Sequence, residues 1–133
     1  TLLRECDFVT LHAPLTPETT NMVGARELSL MKPDAFLINC ARGPLIDEQA
    51  LLKALNESWI AGAALDTHYH YPMPPDHPLW KFPNVIMTPH ISGSALSPHF
   101  ASRNWDIFIQ NVQRHLDGQP MLNQLTAKQL TGD

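Results

Sequence analysis

Five side chains able to do chemistry close or follow short apolar runs. His12 ends "DFVTLH", Cys40 ends "AFLINC" with Arg42 two residues on, Asp66 ends "WIAGAALD", and His90 follows "NVIMTP". If those runs are parallel strands, all five fall on the rim where open α/β sheets take ligands, outside the carboxyl ends of the strands. An arginine fork clamps a carboxylate bidentately. An imidazole moves a proton near neutral pH, and a carboxylate accepts hydrogen bonds from an amide-bearing cofactor. Each residue also has a plainer use: a histidine satisfied structurally, an arginine solvated in a turn, an aspartate capping one. Their joint placement is what gives the set a chemical meaning.

A second cluster lies in "ALDTHYHYPMPPDHPLW" (64–80), with His68, His70 and His77 among tyrosines and prolines. His68 and His70 alternate in an extended segment, and His77 comes round a turn, so a metal site has to be weighed. Structural zinc sites recruit cysteine or closely paired histidines on firm elements, and no cysteine is near. The prolines indicate a stiff irregular loop packed over the end of the sheet. The expectation is a wall of the site and no metal.

The elements that must position these residues alternate between short apolar strands and helical patterns, which predicts βαβ units, a parallel sheet and an α/β fold. Strands are expected over 7–12, 35–40, 59–66 and 84–89. The second is apolar nearly throughout, as in strands covered on both faces. "TPET" reads as a short helix, with Thr16 as cap and Pro17 in the first position. Further helices are expected over 25–31, over "EQALLKALN" capped by Asp47, and over 97–118, where Ser97 caps, Gly118 closes, and Phe100, Ile107, Phe108, Val112 and Leu116 form a stripe. "TLLREC" resembles the tail of a helix entering the first strand, so the chain is expected to begin within a fold.

The 133 residues can bury a real core, and 44% hydrophobic with 17% charged residues is the balance of a globular domain. A formal net charge of −4 without a basic run argues against nucleic acid. No stretch reaches the roughly 18 apolar residues of a membrane helix, and the opening is polar and acidic rather than a signal peptide. Cys6 and Cys40 read as free thiols of a cytoplasmic protein.

"LHAPLTPET" (11–19), "INCARGPLIDEQALLKAL" (38–55), "AGAALD" (61–66), "PPDHPLW" (74–80) and "NVIMTPHISGSA" (84–95), in this order, resemble the D-isomer-specific 2-hydroxyacid dehydrogenase family over roughly residues 1–120. The resemblance implies a Rossmann-type nicotinamide domain, with NAD or NADP as cofactor, a small carboxylate substrate and a homodimer. It implies that Arg42 holds the substrate carboxylate, that His90 is the acid/base, and that Asp66 engages the nicotinamide carboxamide. Pro14, Leu15, Thr16, Pro17, Glu18, Cys40, Ala41, Arg42, His90, Ser92 and Gly93 match segments lining the cofactor.

Two departures stand out. Where the family usually pairs the catalytic histidine with a glutamate, the chain has Tyr71, which brings no charge. The family's formate dehydrogenases also lack that glutamate and move a hydride without removing a hydroxyl proton, so a formate enzyme is the runner-up. The six glycines (24, 43, 62, 93, 118 and 132) hold no pair within ten residues, so the phosphate-binding fingerprint is missing. The expected organisation is the second half of a nucleotide domain over 1–94, then a returning helix and tail over 95–133. By itself such a chain is expected to be inactive, and a catalytically silent oligomerisation module remains a third reading, since an unpaired strand edge and an exposed helix face recruit other chains.

Overall fold

The computed structural model describes residues 1–93 and 98–124. The chain divides into two compact units, Thr1–Ser92 and Gly93–Asp133. The first opens with a single helical turn, α1 (Leu2–Glu5), that delivers the chain into a parallel sheet. Its strands are β1 (Phe8–Leu11), β2 (Phe36–Asn39), β3 (Gly62–Leu65) and β4 (Val85–Met87), side by side in chain order. Helix α2 (Ala25–Ser29) lies between β1 and β2, and α3 (Glu48–Asn56) between β2 and β3. The α/β, Rossmann-type reading holds.

Alternate strand residues supply the core, as a period of two requires. Val9, Leu11, Leu37, Ala63 and Leu65 are buried with Leu28 of α2 and Ala50, Leu51, Ala54 and Leu55 of α3. Helix α3 starts where the sequence placed it, with the Asp47 carboxylate accepting from the Ala50 amide at 2.8 Å. The opposite face of the sheet is open. Phe8 and Phe36 stack there at 5.9 Å, with Phe8 66% and Ile86 68% exposed. The apolar character of β2 therefore does not mean cover on both faces within this unit.

Two expected elements come out differently. Residues 17–21 form a hydrogen-bonded turn and no helix. The Thr19 hydroxyl donates to the Pro14 carbonyl at 2.7 Å and also accepts from the Thr16 amide, which closes the segment on itself instead of capping a helix. The third strand is shorter than 59–66: the Trp59 amide turns back to the Ala54 carbonyl, and Ser58 takes φ 55. Gly62 admits a close strand neighbour, since a Cβ there would collide with the Asn84 carbonyl and the Phe36 ring.

The second unit is dominated by α4 (Pro98–Leu116). Gly118 follows at φ 65 with its amide on the His115 carbonyl, a left-handed closure that suits glycine. The expected cap, Ser97, lies outside the described residues. Phe108, Val112 and Leu116 are exposed, and the Asn111 side chain holds Leu122 through both its backbone groups. No helix among the described residues is long and apolar enough to cross a membrane.

Leu37 is fully buried on the middle of the covered face, whereas Phe8 is exposed on the open one. Leu37→Ala is expected to cost about 3 kcal/mol, and Phe8→Ala under about 1 kcal/mol. Denaturant unfolding of the two variants checks this, and equal losses would mean that the open face is covered in solution.

Candidate active site

The strand register sets the rim. Leu11, Asn39, Leu65 and Met87 pair in one row across the sheet. The next residues, His12, Cys40, Asp66 and Thr88, therefore begin the four loops at one level. Arg42 lies three residues beyond its strand and His90 three beyond its own. The two strands are separated by two inter-strand steps, about 10 Å.

The Arg42 loop is built by Asn39, a buried side chain that sequence reading did not pick out. Its amide NH₂ donates to the Arg42 carbonyl at 2.8 Å, and its side-chain oxygen accepts from the Ala41 amide at 3.0 Å. The guanidinium is exposed and gives one N–H to the Ala41 carbonyl at 2.7 Å, which leaves the rest of its fork available. Arg42 and Ala41 line a cavity of about 450 Å³ with His12, Ala13, Pro14 and Leu15. Thr16, Pro17 and Glu18 follow in the turn beyond it. Cys40 is half-buried and free. Gly43 needs to be glycine, because a Cβ would strike the His68 carbonyl. The arginine loop thus presses directly on the loop that follows β3.

Asp66, 3% exposed at the tip of β3, holds the turn that carries His90. Its Oδ1 accepts from the Thr88 hydroxyl at 2.5 Å and the Ile91 amide at 2.8 Å. Its Oδ2 accepts from the Ser92 amide at 3.0 Å and the Ser92 hydroxyl at 2.6 Å. Burial pushes the carboxyl pKa up, but the Ser92 and Thr88 hydroxyls and the two amides outweigh it and hold it well below the usual carboxylate range. Within this turn His90 takes φ 57, a left-handed conformation uncommon outside glycine. Gly93 falls in the second unit.

The Pro-rich loop braces the same turn. His68 donates Nε2–H to the Thr88 carbonyl at 2.9 Å, since a carbonyl can only accept, and its buried Nδ1 has no partner among the described residues. The Tyr71 hydroxyl accepts from the His68 amide at 3.0 Å and meets His90 Nδ1 at 3.3 Å, long for such a bond. His77 turns elsewhere: Nδ1 accepts from the Leu79 amide and Nε2 faces the Glu48 carboxylate at 2.7 Å, pinning the loop to α3. Among the described residues no three His, Cys, Asp or Glu side chains converge as metal ligands. Sequence reading missed the roles of His68, Thr88 and Asn39. A polar residue at the last position of an apolar strand is the signal that could have exposed Asn39.

Residues 1–92 match the profile of the D-isomer-specific 2-hydroxyacid dehydrogenase NAD-binding domain, and the chain belongs to that family. It is 52% identical to a glyoxylate reductase of Thermofilum pendens over 96 residues, 72% of this chain and 28% of that protein. A D-3-phosphoglycerate dehydrogenase of Methanocaldococcus jannaschii is 50% identical over 118 residues, 89% of this chain and 22% of that one. Among solved structures, a D-isomer-specific 2-hydroxyacid dehydrogenase of Xanthobacter autotrophicus, in complex with NADPH and MES, superposes with TM-score 0.82 at 39% identity, covering 93% of this chain and 50% of that one. The NAD-complexed enzyme of Lactobacillus delbrueckii gives 0.72 at 42%, covering 89% and 39%. The chain thus spans under a third of the curated relatives it matches.

A folded-state pKa held below the unfolded value, about 3.9 for aspartate, means stability that is full above that pH and is lost as pH falls through the folded value. Asp66→Asn is therefore expected to destabilise the fold by about 3 kcal/mol at neutral pH. The gap should stay constant down to about pH 4.5 and narrow below it. Unfolding free energies of both proteins across this range check it, and a gap that widened on acidification would contradict it.

Proposed function

We propose that the chain supplies the nicotinamide-facing part of an NAD(P)-dependent oxidoreductase that moves a hydride between nicotinamide and a small 2-hydroxy or 2-keto acid. What carries this reading is the His90 turn, braced by Asp66 and Tyr71 on the same rim as the free fork of Arg42. The residues present fit the nicotinamide end of the cofactor. Pro14, Leu15 and Ala41 give an apolar-edged hollow beside Arg42, and two of the four donors on Asp66 are hydroxyls that can rotate to admit a carboxamide NH₂. Thr16, Pro17, Glu18, Cys40 and Ser92 complete that lining in the proposal. The glycine pair that would cradle a pyrophosphate is not in this sequence.

When bound, the nicotinamide would supply or accept the hydride. Arg42 would hold the substrate carboxylate through paired N–H groups and so orient the adjoining carbonyl. His90 would give a proton to the carbonyl oxygen on reduction and take it from the hydroxyl on oxidation. In this reading residues 1–94 form the cofactor half and 95–133 the returning helix and tail. The homodimer and the cytoplasmic setting belong to the same proposal.

The names of the relatives, glyoxylate reductase and phosphoglycerate dehydrogenase, favour a keto acid over formate. A chimera in which residues 1–92 replace the matching segment of a full-length glyoxylate reductase is expected to reduce glyoxylate with NADH or NADPH and not to oxidise formate. In it, Arg42→Ala should lower kcat/KM by at least about a hundredfold. Formate oxidation without glyoxylate reduction would reverse the assignment.

Tyr71 gives a second test. A phenol already accepting from the His68 amide keeps one O–H and one lone pair. It can donate to a neutral imidazole or accept from an imidazolium, but it adds no charge to favour the latter. Keto-acid reduction needs the protonated imidazole, and its rate falls as pH rises. Tyr71→Glu in the chimera is expected to move that high-pH limb upward, read from the kcat profile, and an unmoved limb would show that Tyr71 is not the partner of His90.

A further inference from the structure

We infer that His68 is a positioning residue for His90, its side chain holding the Thr88 carbonyl and its backbone amide the Tyr71 hydroxyl. The inference rests on the proposed role of His90 as acid/base and adds what aims that imidazole. Among the described residues His90 makes two polar contacts. Its amide donates to the Thr88 carbonyl at 2.9 Å, and its Nδ1 meets the Tyr71 hydroxyl at 3.3 Å. Both partners lead back to His68. Its Nε2–H reaches the Thr88 carbonyl at 2.9 Å, and its amide reaches the Tyr71 hydroxyl at 3.0 Å. The rings follow one another at 5.8 Å between centroids, His68 to Tyr71 and Tyr71 to His90. One residue thus closes a circuit around the imidazole.

The segment that carries Tyr71 has little else to hold it in place. Residues 67–73 make no backbone–backbone hydrogen bond among the described residues. Tyr69 and Met73 pack against the core, and His77 pins the far end to α3 at 2.7 Å. At the near end, the His68 side chain is the one hydrogen-bonded tie to the chain after β4 apart from the Tyr71–His90 contact. That contact is long and neutral, and Tyr71 is 60% exposed, so alone it holds the ring loosely. The tie itself is firmly based. The His68 carbonyl lies against Gly43, where no Cβ fits. Pro72, Met73, Trp80 and Met87 line a hollow of about 350 Å³ with His68, and none of these side chains offers a strong acceptor to compete for its Nε2–H.

Two variants separate the donor from the ring. His68→Phe keeps a ring and removes the donor, whereas His68→Gln loses the ring and keeps an N–H at a similar reach. In the glyoxylate reductase chimera, His68→Phe is expected to lower kcat about fivefold, the worth of one net hydrogen bond. The KM values for glyoxylate and cofactor should stay within about twofold, since His68 touches neither. His68→Gln should return kcat to within about twofold of the unsubstituted chimera. In the 133-residue chain, the proton NMR cross-relaxation between the Tyr71 and His90 rings should weaken by about half or more in His68→Phe and persist in His68→Gln. Should His68→Phe fail to fold, His68→Asn, whose amide is too short for the Thr88 carbonyl, takes its place with the same expected losses. An unchanged kcat in the donor-less variant, a His68→Gln as slow as it, or a KM raised many-fold at constant kcat would each overturn the inference. If the unsubstituted chimera reduces no keto acid, the functional reading falls, and the ring-to-ring signal still decides whether His68 holds Tyr71 against His90.

Discussion

Burying a carboxylate costs several kcal/mol unless every lone pair finds a donor, and the tip of β3 buries one. Thr88, Ile91 and Ser92 meet that demand together, and they can do so only if the chain after β4 folds back over the end of β3. The backbone between them is then over-determined, and the left-handed φ of His90 follows from it. An exposed imidazole of the rim is thus fixed by a buried charge. Little of this depends on side-chain packing, which suits a site that has to leave one wall open for a substrate.

The loop "THYHYP" supports the same turn from the other side with neutral groups. His68 reaches the Thr88 carbonyl, and Tyr71 reaches the imidazole. A carboxylate in place of the phenol would stabilise the imidazolium and draw the histidine toward its charged form. A phenol follows the proton in either direction without preferring one. With the Asp66 charge screened by four donors and Tyr71 neutral, the electrostatic field on His90 is weaker than a glutamate would give. In the proposed reaction Arg42 would supply the positive charge for a carboxylate, so holding a substrate and moving its proton would fall to separate groups.

The strands and the rim were readable because apolar runs of four to six residues ending in polar side chains leave few alternatives to a parallel sheet. Asp47 was readable as a cap because its backbone consequences are local. The "TPET" helix was not, since the helical cues of Thr16 and Pro17 compete with a Thr19 hydroxyl that reaches the Pro14 carbonyl, a bond visible only once the chain is folded. The open face of β2 was equally hidden: Phe36 and Phe8 have the composition of covered strands whether or not anything covers them. His68 looked like a candidate ligand in a histidine-rich loop, and its partner proved to be a carbonyl twenty residues away. Sequence spacing carries no information about such a distant acceptor.

The geometry between Arg42 and His90 is set by contacts made to backbone groups. Gly43, next to the arginine, lies so close to the His68 carbonyl that no Cβ fits between them. His68 in turn clasps the Thr88 carbonyl beneath the His90 turn. Asn39 fixes the arginine loop from below through the Arg42 carbonyl and the Ala41 amide. A displacement of either loop is therefore felt by the other through a single layer of packed backbone, which interiors transmit with little give. In the proposed reaction the distance between the group that holds a carboxylate and the group that moves a proton would be nearly constant, whatever follows the adjacent carboxylate and carbonyl of a 2-keto acid. Discrimination among such acids then has to come from what contacts the remainder of the molecule, beyond the rim described by these two loops.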